Sequence, residues 1–158
     1  MKEPPGIETN SARTVTVLSV SPSKADHAVL CSILQDSNPE IDTDCRWMIY
    51  PATSAASAEE VLSGQEIPVV ISEDNLFPDT WRAILQHISL LPDPPFLIVA
   101  SRLADERLWA EALNLGAWDV LAKPFDAQEV IRVVASAWRH WQDRREPGTR
   151  QKAAATVT

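Results

Sequence analysis

A chain of 158 residues that is 45% hydrophobic and 23% charged, with only 4 glycines, suits one globular domain with a substantial core. Its 14 Lys and Arg stand against 22 Asp and Glu, a formal charge of -8, which disfavours affinity for a phosphate backbone and argues against nucleic-acid binding. The opening MKEPPGIETNSART lacks the apolar centre of a signal peptide, and no later run reaches the roughly 18 apolar residues of a membrane span, so a cytoplasmic protein is expected.

Residues 1–13 read as a disordered N-terminal tail, because Pro4, Pro5 and Gly6 oppose regular structure. Thr14 to Val20, TVTVLSV, is rich in β-branched residues and predicts a first strand ended by Ser21, Pro22 and Ser23. Ala25, Val29, Leu30, Ile33 and Leu34 then recur at helical spacing, with a stop at Ser37, Asn38 and Pro39. Cys31 and Cys45 are too few for a disulfide scaffold and stand at no metal-finger spacing from a histidine.

Cys45 to Tyr50 predicts a second strand, closed by Pro51. Ser57 followed by Glu60 has the spacing of a capping box, so a short helix is expected there, ending near Gly64. Val69, Val70 and Ile71 form a third strand that breaks into the polar crest Ser72, Glu73, Asp74 and Asn75. Past Pro78, the residues Trp81, Ile84, Leu85 and Ile88 trace one helical face, and Leu91 to Pro95 interrupts it.

Phe96 to Ala100, FLIVA, predicts a fourth strand buried on both faces. A helix through Leu108, Trp109, Ala112, Leu113 and Leu115 closes at Gly116, where a left-handed terminus favours a residue without a β-carbon. Val120 to Ala122 is a short fifth strand. Asp126 and Glu129 then open a long helix with the stripe Val130, Val133, Val134, Ala137, Trp138 and Trp141. The domain is taken as 14–143, followed by a flexible C-terminal tail, 144–158.

Strands alternating regularly with helices imply a parallel sheet with right-handed crossovers and helices on both faces, an α/β three-layer sandwich. A dinucleotide-binding order would carry glycines after the first strand, and Ser21, Pro22, Ser23 has none. The flavodoxin-like order 2-1-3-4-5 is therefore expected. Open sheets of this kind keep their working groups past the carboxyl ends of the strands, which draws attention to Glu73 and Asp74.

LGAWDVLAKPF, Leu115 to Phe125, carries the most specific signal: glycine, alanine, a short strand and then Lys-Pro-Phe. Through it the chain from about Thr14 to Trp141 resembles the receiver domain of bacterial two-component response regulators, the chemotaxis-regulator-like fold. The resemblance implies a lysine that contacts a phosphoryl group, at Lys123, and a proline usually preceded by a cis bond, at Pro124. It further implies an acceptor aspartate ending the third strand, an acid pair after the first strand that helps to hold Mg²⁺, and a hydroxyl ending the fourth strand.

Several of those positions are substituted. Ser21 and Pro22 stand at the acid pair and supply no anionic oxygen for Mg²⁺. Glu73 stands at the phosphoacceptor position and Ala100 at the hydroxyl position, with Ser101 one residue late; Val120 replaces the usual aromatic. A competing register makes Asp74 the phosphoacceptor, because it lies four residues before Pro78. A pairing of Glu73 with Lys123 that imitates a phosphorylated acceptor is weighed against a merely solvated carboxylate. His27, His87 and His140 share no ligand spacing.

The expectation is thus a stand-alone, degenerate receiver that is not an enzyme and holds no cofactor or metal. It would act as a phosphorylation-independent protein-interaction module in phosphorelay signalling. Its partners would be proteins, a histidine kinase or another regulator, or a second copy docked on the fourth helix, fifth strand and fifth helix, with no nucleic acid or membrane. The alternatives are a receiver phosphorylated on Asp74 by a histidine kinase with Mg²⁺, or a small-ligand sensor on the same fold.

Overall fold

The computed structural model describes residues 13–36 and 45–145. The expected tails, 1–13 and 144–158, lie outside the described residues apart from Arg13, Arg144 and Arg145, as does the helix stop expected at Ser37 to Pro39. The elements are β1 (Arg13–Val20), α1 (Lys24–Gln35), β2 (Cys45–Ala52), α2 (Ala55–Gly64), β3 (Val69–Glu73), α3 (Trp81–Ile88), β4 (Phe96–Ser101), α4 (Glu106–Leu115), β5 (Asp119–Ala122) and α5 (Ala127–Arg145). A two-residue antiparallel ribbon, Asn75–Leu76 with Asp79–Thr80, fills the turn between β3 and α3.

The five strands lie parallel in the order β2-β1-β3-β4-β5, the flavodoxin-like order expected from the sequence. Alternate residues of each strand face opposite layers. Val15, Val17, Ile71, Ile98 and Leu121 meet Leu30 and Leu34 of α1 and Val130, Val134 and Trp138 of α5. Leu18, Val20, Val70, Leu97, Val99 and Val120 meet Leu62 of α2, Trp81, Ile84 and Ile88 of α3 and Ala112 of α4. Burying each large apolar side chain contributes roughly 1.5–3 kcal/mol, so the strand interiors hold the domain together.

Two local features differ from the sequence reading. β2 does not stop at Pro51 but runs through it to Ala52, with Pro51 opposite Ser19. β2 is an edge strand, and an edge tolerates a residue without a backbone N–H. The cap of α2 is Ser54 rather than Ser57. Ser54 Oγ accepts the Ser57 N–H at 3.1 Å, and the Ser54 N–H donates to Ser57 Oγ at 3.2 Å. Ser57 thus closes a capping box one turn earlier than the Ser57 and Glu60 spacing suggested.

Of the tryptophans, Trp138 and Trp141 stack at 5.7 Å and Trp47 meets Trp138 edge-on at 6.1 Å, all three buried. Trp138 and Trp141 are packing residues, as their stripe predicts. Trp109 is 44% exposed on α4.

Candidate functional site

The strand ends define the site. Glu73 follows Ile71 by two positions and Lys123 follows Leu121 by two, so both continue the sheet face covered by α1 and α5. There they meet Asp26, which lies in the first turn of α1. The α1 turn is built locally: Ser23 caps the helix by accepting the Asp26 N–H at 3.3 Å, and Ser21 Oγ accepts the Ser23 N–H at 3.0 Å.

Lys123 Nζ donates to Asp26 Oδ2 at 2.6 Å and also to Glu73 Oε1. Asp26 Oδ2 additionally accepts the Ser21 hydroxyl at 3.0 Å. The lysine side chain is 8% exposed and each carboxylate 16%. One ammonium is therefore clamped between two acids of separate elements in a site largely shielded from water. His27 ties the same corner together: its Nε2–H donates to the Ser21 carbonyl at 3.0 Å, and its Nδ1 lies 2.8 Å from Ser19 Oγ.

Burial pushes the Glu73 carboxyl above its ordinary range; the Lys123 ammonium opposes this without overcoming it, and the neighbouring Asp74 reinforces it. Burial alone would lower the lysine, but its bonds to Asp26 and Glu73 outweigh that and hold it above its ordinary value. The two directions agree with the arrangement. The lysine has two acids to itself, whereas Glu73 shares one cation and has a second carboxylate beside it.

Asp74 belongs to the other side of the crest. Its N–H extends the β3–β4 ladder to the Ala100 carbonyl at 2.9 Å, and its Oδ2 accepts the Ser101 hydroxyl at 3.0 Å. Ser101 is buried and follows Val99 by two positions, so it continues the face covered by α2, α3 and α4. Ala100 stands opposite Glu73 in the ladder. The Lys123–Pro124 and Phe77–Pro78 bonds are both cis.

No family model matches the chain. Regulatory protein VirG of Rhizobium radiobacter is 32% identical over 93 residues, which are 57% of this chain and 35% of VirG. VirG of Agrobacterium fabrum is 28% identical over 93 residues, 57% of this chain and 37% of its own length. The chain thus spans about a third of the length of these curated relatives. Among solved structures, the signal receiver domain of an HD domain-containing protein from Pseudomonas fluorescens superposes with a TM-score of 0.69 at 23% identity, covering 83% of this chain and 99% of that one. The receiver domain of a LuxO-type repressor protein from Vibrio parahaemolyticus gives 0.71 at 19% identity, covering 82% and 93%. Chemotaxis response regulator CheY4 of Vibrio cholerae gives 0.66 at 17%, covering 78% and 98%.

The chain has the fold of a response regulator receiver domain. In this chain, the structure brings Glu73 and Lys123 together and leaves Asp74 with Ser101. Ser21 is drawn in as a hydrogen-bond donor to Asp26; Pro22 contributes no donor. Sequence reasoning missed Asp26 altogether. The available signal was its place in the Ser23-capped first turn, just above the strand end where an acid pair was sought. It placed Ser101 one residue late for the expected hydroxyl, and that hydroxyl bonds a crest carboxylate.

Among the described residues, further depressions lie away from the crest. A groove of about 860 Å³ runs between α3, the Pro94–Pro95 turn and the end of α4, walled by Leu85, Ile88 and Leu115. A smaller one, about 390 Å³, lies at the amino end of β1 and β3 beside Trp138 and Trp141.

Proposed function

We propose that this receiver acts in two-component signalling as a phosphorylation-independent protein-interaction module, with its crest held in one arrangement by Lys123. The observation that carries the reading is the clamp itself. The lysine that a receiver of ordinary pattern would offer to a phosphoryl group is bonded to Glu73 and Asp26 and shielded from solvent. Glu73 occupies the acceptor position with a fixed negative charge already on that lysine, which imitates an occupied site.

The donor set supports a site without Mg²⁺. A divalent cation of this kind requires anionic or carbonyl oxygens in near-octahedral array. Here Ser21 spends its hydroxyl on Asp26, Pro22 has no side-chain oxygen, and Glu73 and Asp26 share an ammonium. Among the described residues, no group of three or more His, Cys, Asp or Glu is placed to hold a metal. The module binds rather than catalyses. Its partners on this reading are a histidine kinase, another regulator or a second copy of the chain, met through α4, β5 and α5. Among the described residues no helix is long and apolar enough to cross a membrane, which fits a place in the cytoplasm.

One observation favours a second reading. Asp74 carries a hydroxyl partner, Ser101, of the type that a phosphoacceptor uses. Intact mass after incubation with acetyl phosphate and Mg²⁺ separates the two. The module reading requires no adduct on the native chain. An adduct of about 80 Da that is lost in Asp74→Ala and kept in Glu73→Ala establishes the second reading and removes the first.

A further inference from the structure

The groove between α3 and α4 follows from the shortness of α3. That helix has 8 residues, a length of about 12 Å, and the chain then turns through Pro94 and Pro95 into β4. Ile88 and Leu97, both buried, line the base of the groove, and Leu115 at the end of α4 walls its far side while remaining 52% exposed. Apolar surface is thus left uncovered in a concave site of the volume that small molecules occupy.

The two ends of the groove differ in charge. At the crest end Arg82 lies over the Trp81 ring at 5.4 Å and is paired with Glu111, and Asp79 adds a carboxylate. At the other end Arg144 lies over Phe96 at 4.9 Å, its Nη2 donating to the Pro94 carbonyl and, at 3.2 Å, to Asp93 Oδ1. Asp93 also holds Arg145, so it does not serve Arg144 alone. A guanidinium has five N–H donors. In Arg144 the Nε is sealed from solvent, whereas Nη1 is accessible and makes no hydrogen bond among the described residues, in a side chain 34% exposed. The result is an anchored cation with unused donors at one end of an apolar groove, in a chain whose formal charge is -8.

We propose that this groove binds a small amphipathic carboxylate, its apolar chain lying along α3 and its carboxylate accepting from Arg144 Nη1. The polarity of the groove sets the orientation: Asp79 repels an anion at the crest end, and Arg82 there already has Glu111. Covering Leu85 and Leu115 supplies the apolar contribution, and the planar guanidinium suits a carboxylate. The walls are mostly helical, with backbone groups bonded within the helices, so an extended peptide would leave its own backbone unpaired. The site shares no side chain with the Lys123 clamp and stands apart from the reading of the crest.

The test follows amide chemical shifts of the full chain by NMR during titration with octanoate, and with octanol as the same chain without the charge. The expected result for octanoate is saturable one-to-one binding, with shifts at Leu85, Leu115 and Gly116 and none at Glu73 or Lys123. Octanol is expected to move the same three amides with about tenfold weaker affinity, the size of one hydrogen bond to a charged group. Arg144→Met keeps an apolar body over Phe96 and is expected to bring octanoate down to the affinity of octanol. Leu115→Glu, at an exposed position, is expected to abolish octanoate binding. The proposal is overturned if octanoate causes no saturable change at these amides, or if octanol binds as tightly. It is equally overturned if the three amides shift with protein concentration alone and Leu115→Glu stops this, since a second copy then fills the groove. Should Arg144→Met fail to fold, the comparison of octanoate with octanol and the Leu115→Glu variant decide.

Discussion

The carboxylate of Glu73 and the ammonium of Lys123, 50 positions apart in the chain, meet at the carboxyl edge of the sheet, and the same ammonium also holds Asp26. Two carboxylates, from β3 and α1, thus face one cation just past the end of β5. Removing that cation leaves two shielded carboxylates facing each other. Lys123→Met is expected to destabilise the domain by about 3 kcal/mol, the lower end for breaking a buried pair by deleting one partner. Urea unfolding should show a lower midpoint at unchanged slope.

The clamp also gives stability a definite pH dependence. Glu73 titrates above its ordinary value of 4.5 because of burial. Between 4.5 and its folded value, the folded state holds a proton that the unfolded chain has lost, so stability falls as pH rises through that window. Lys123 is raised above 10.5 by its two acids. Its contribution is therefore whole below 10.5 and is lost as pH rises through the folded value. Unfolding free energy measured from pH 4 to 12 should show both declines in the native chain. The acidic-side decline should vanish in Glu73→Gln, and the alkaline one in Lys123→Met.

Gly116 ends α4 with φ of 113°, and a β-carbon built there meets nothing within 4 Å. The cost of a side chain at this position is thus purely backbone strain. Gly116→Ala is expected to lose about 1–2 kcal/mol, seen as a lower melting temperature with an unchanged circular dichroism spectrum.

Trp109 is 44% exposed on α4, on the surface proposed to meet a partner or a second copy. A side chain so placed does little for the fold, and Trp109→Ala should change stability by less than about 0.5 kcal/mol. If the native chain self-associates through that face, sedimentation velocity should show the Trp109→Ala form shifted toward monomer at equal concentration.

The fold was legible because its signals are local. FLIVA and VVIS are too short and too β-branched for helices, and Gly116 and the Lys-Pro-Phe turn mark their own places in the chain. Glu73 drew attention because it ends a strand of an open α/β sheet, whereas Lys123 could be named only through the resemblance of its Lys-Pro-Phe stretch to receiver domains. Asp26 could not. Its partner lies 97 positions away, and its reach to Lys123 depends on how α1 tilts over the sheet, which no spacing encodes. Pro51 misled for a related reason: whether a proline ends a strand depends on whether that strand is an edge, a property of the whole sheet.

Asp26 offers the sharpest test of the clamp, because it is the member that no motif predicts. Its Oδ2 accepts from both Lys123 and Ser21, so Asp26→Ala removes a charge-assisted bond and strands a buried hydroxyl. A loss of about 2 kcal/mol is expected, within the range for hydrogen bonds to charged groups. The decisive quantity is the coupling. If Asp26 acts through Lys123, combining Asp26→Ala with Lys123→Met should cost less than the sum of the two single losses by about 1–2 kcal/mol. Additive losses in a denaturant-based double-mutant cycle would mean that the 2.6 Å contact is a neighbourly ion pair, with Glu73 alone holding the lysine.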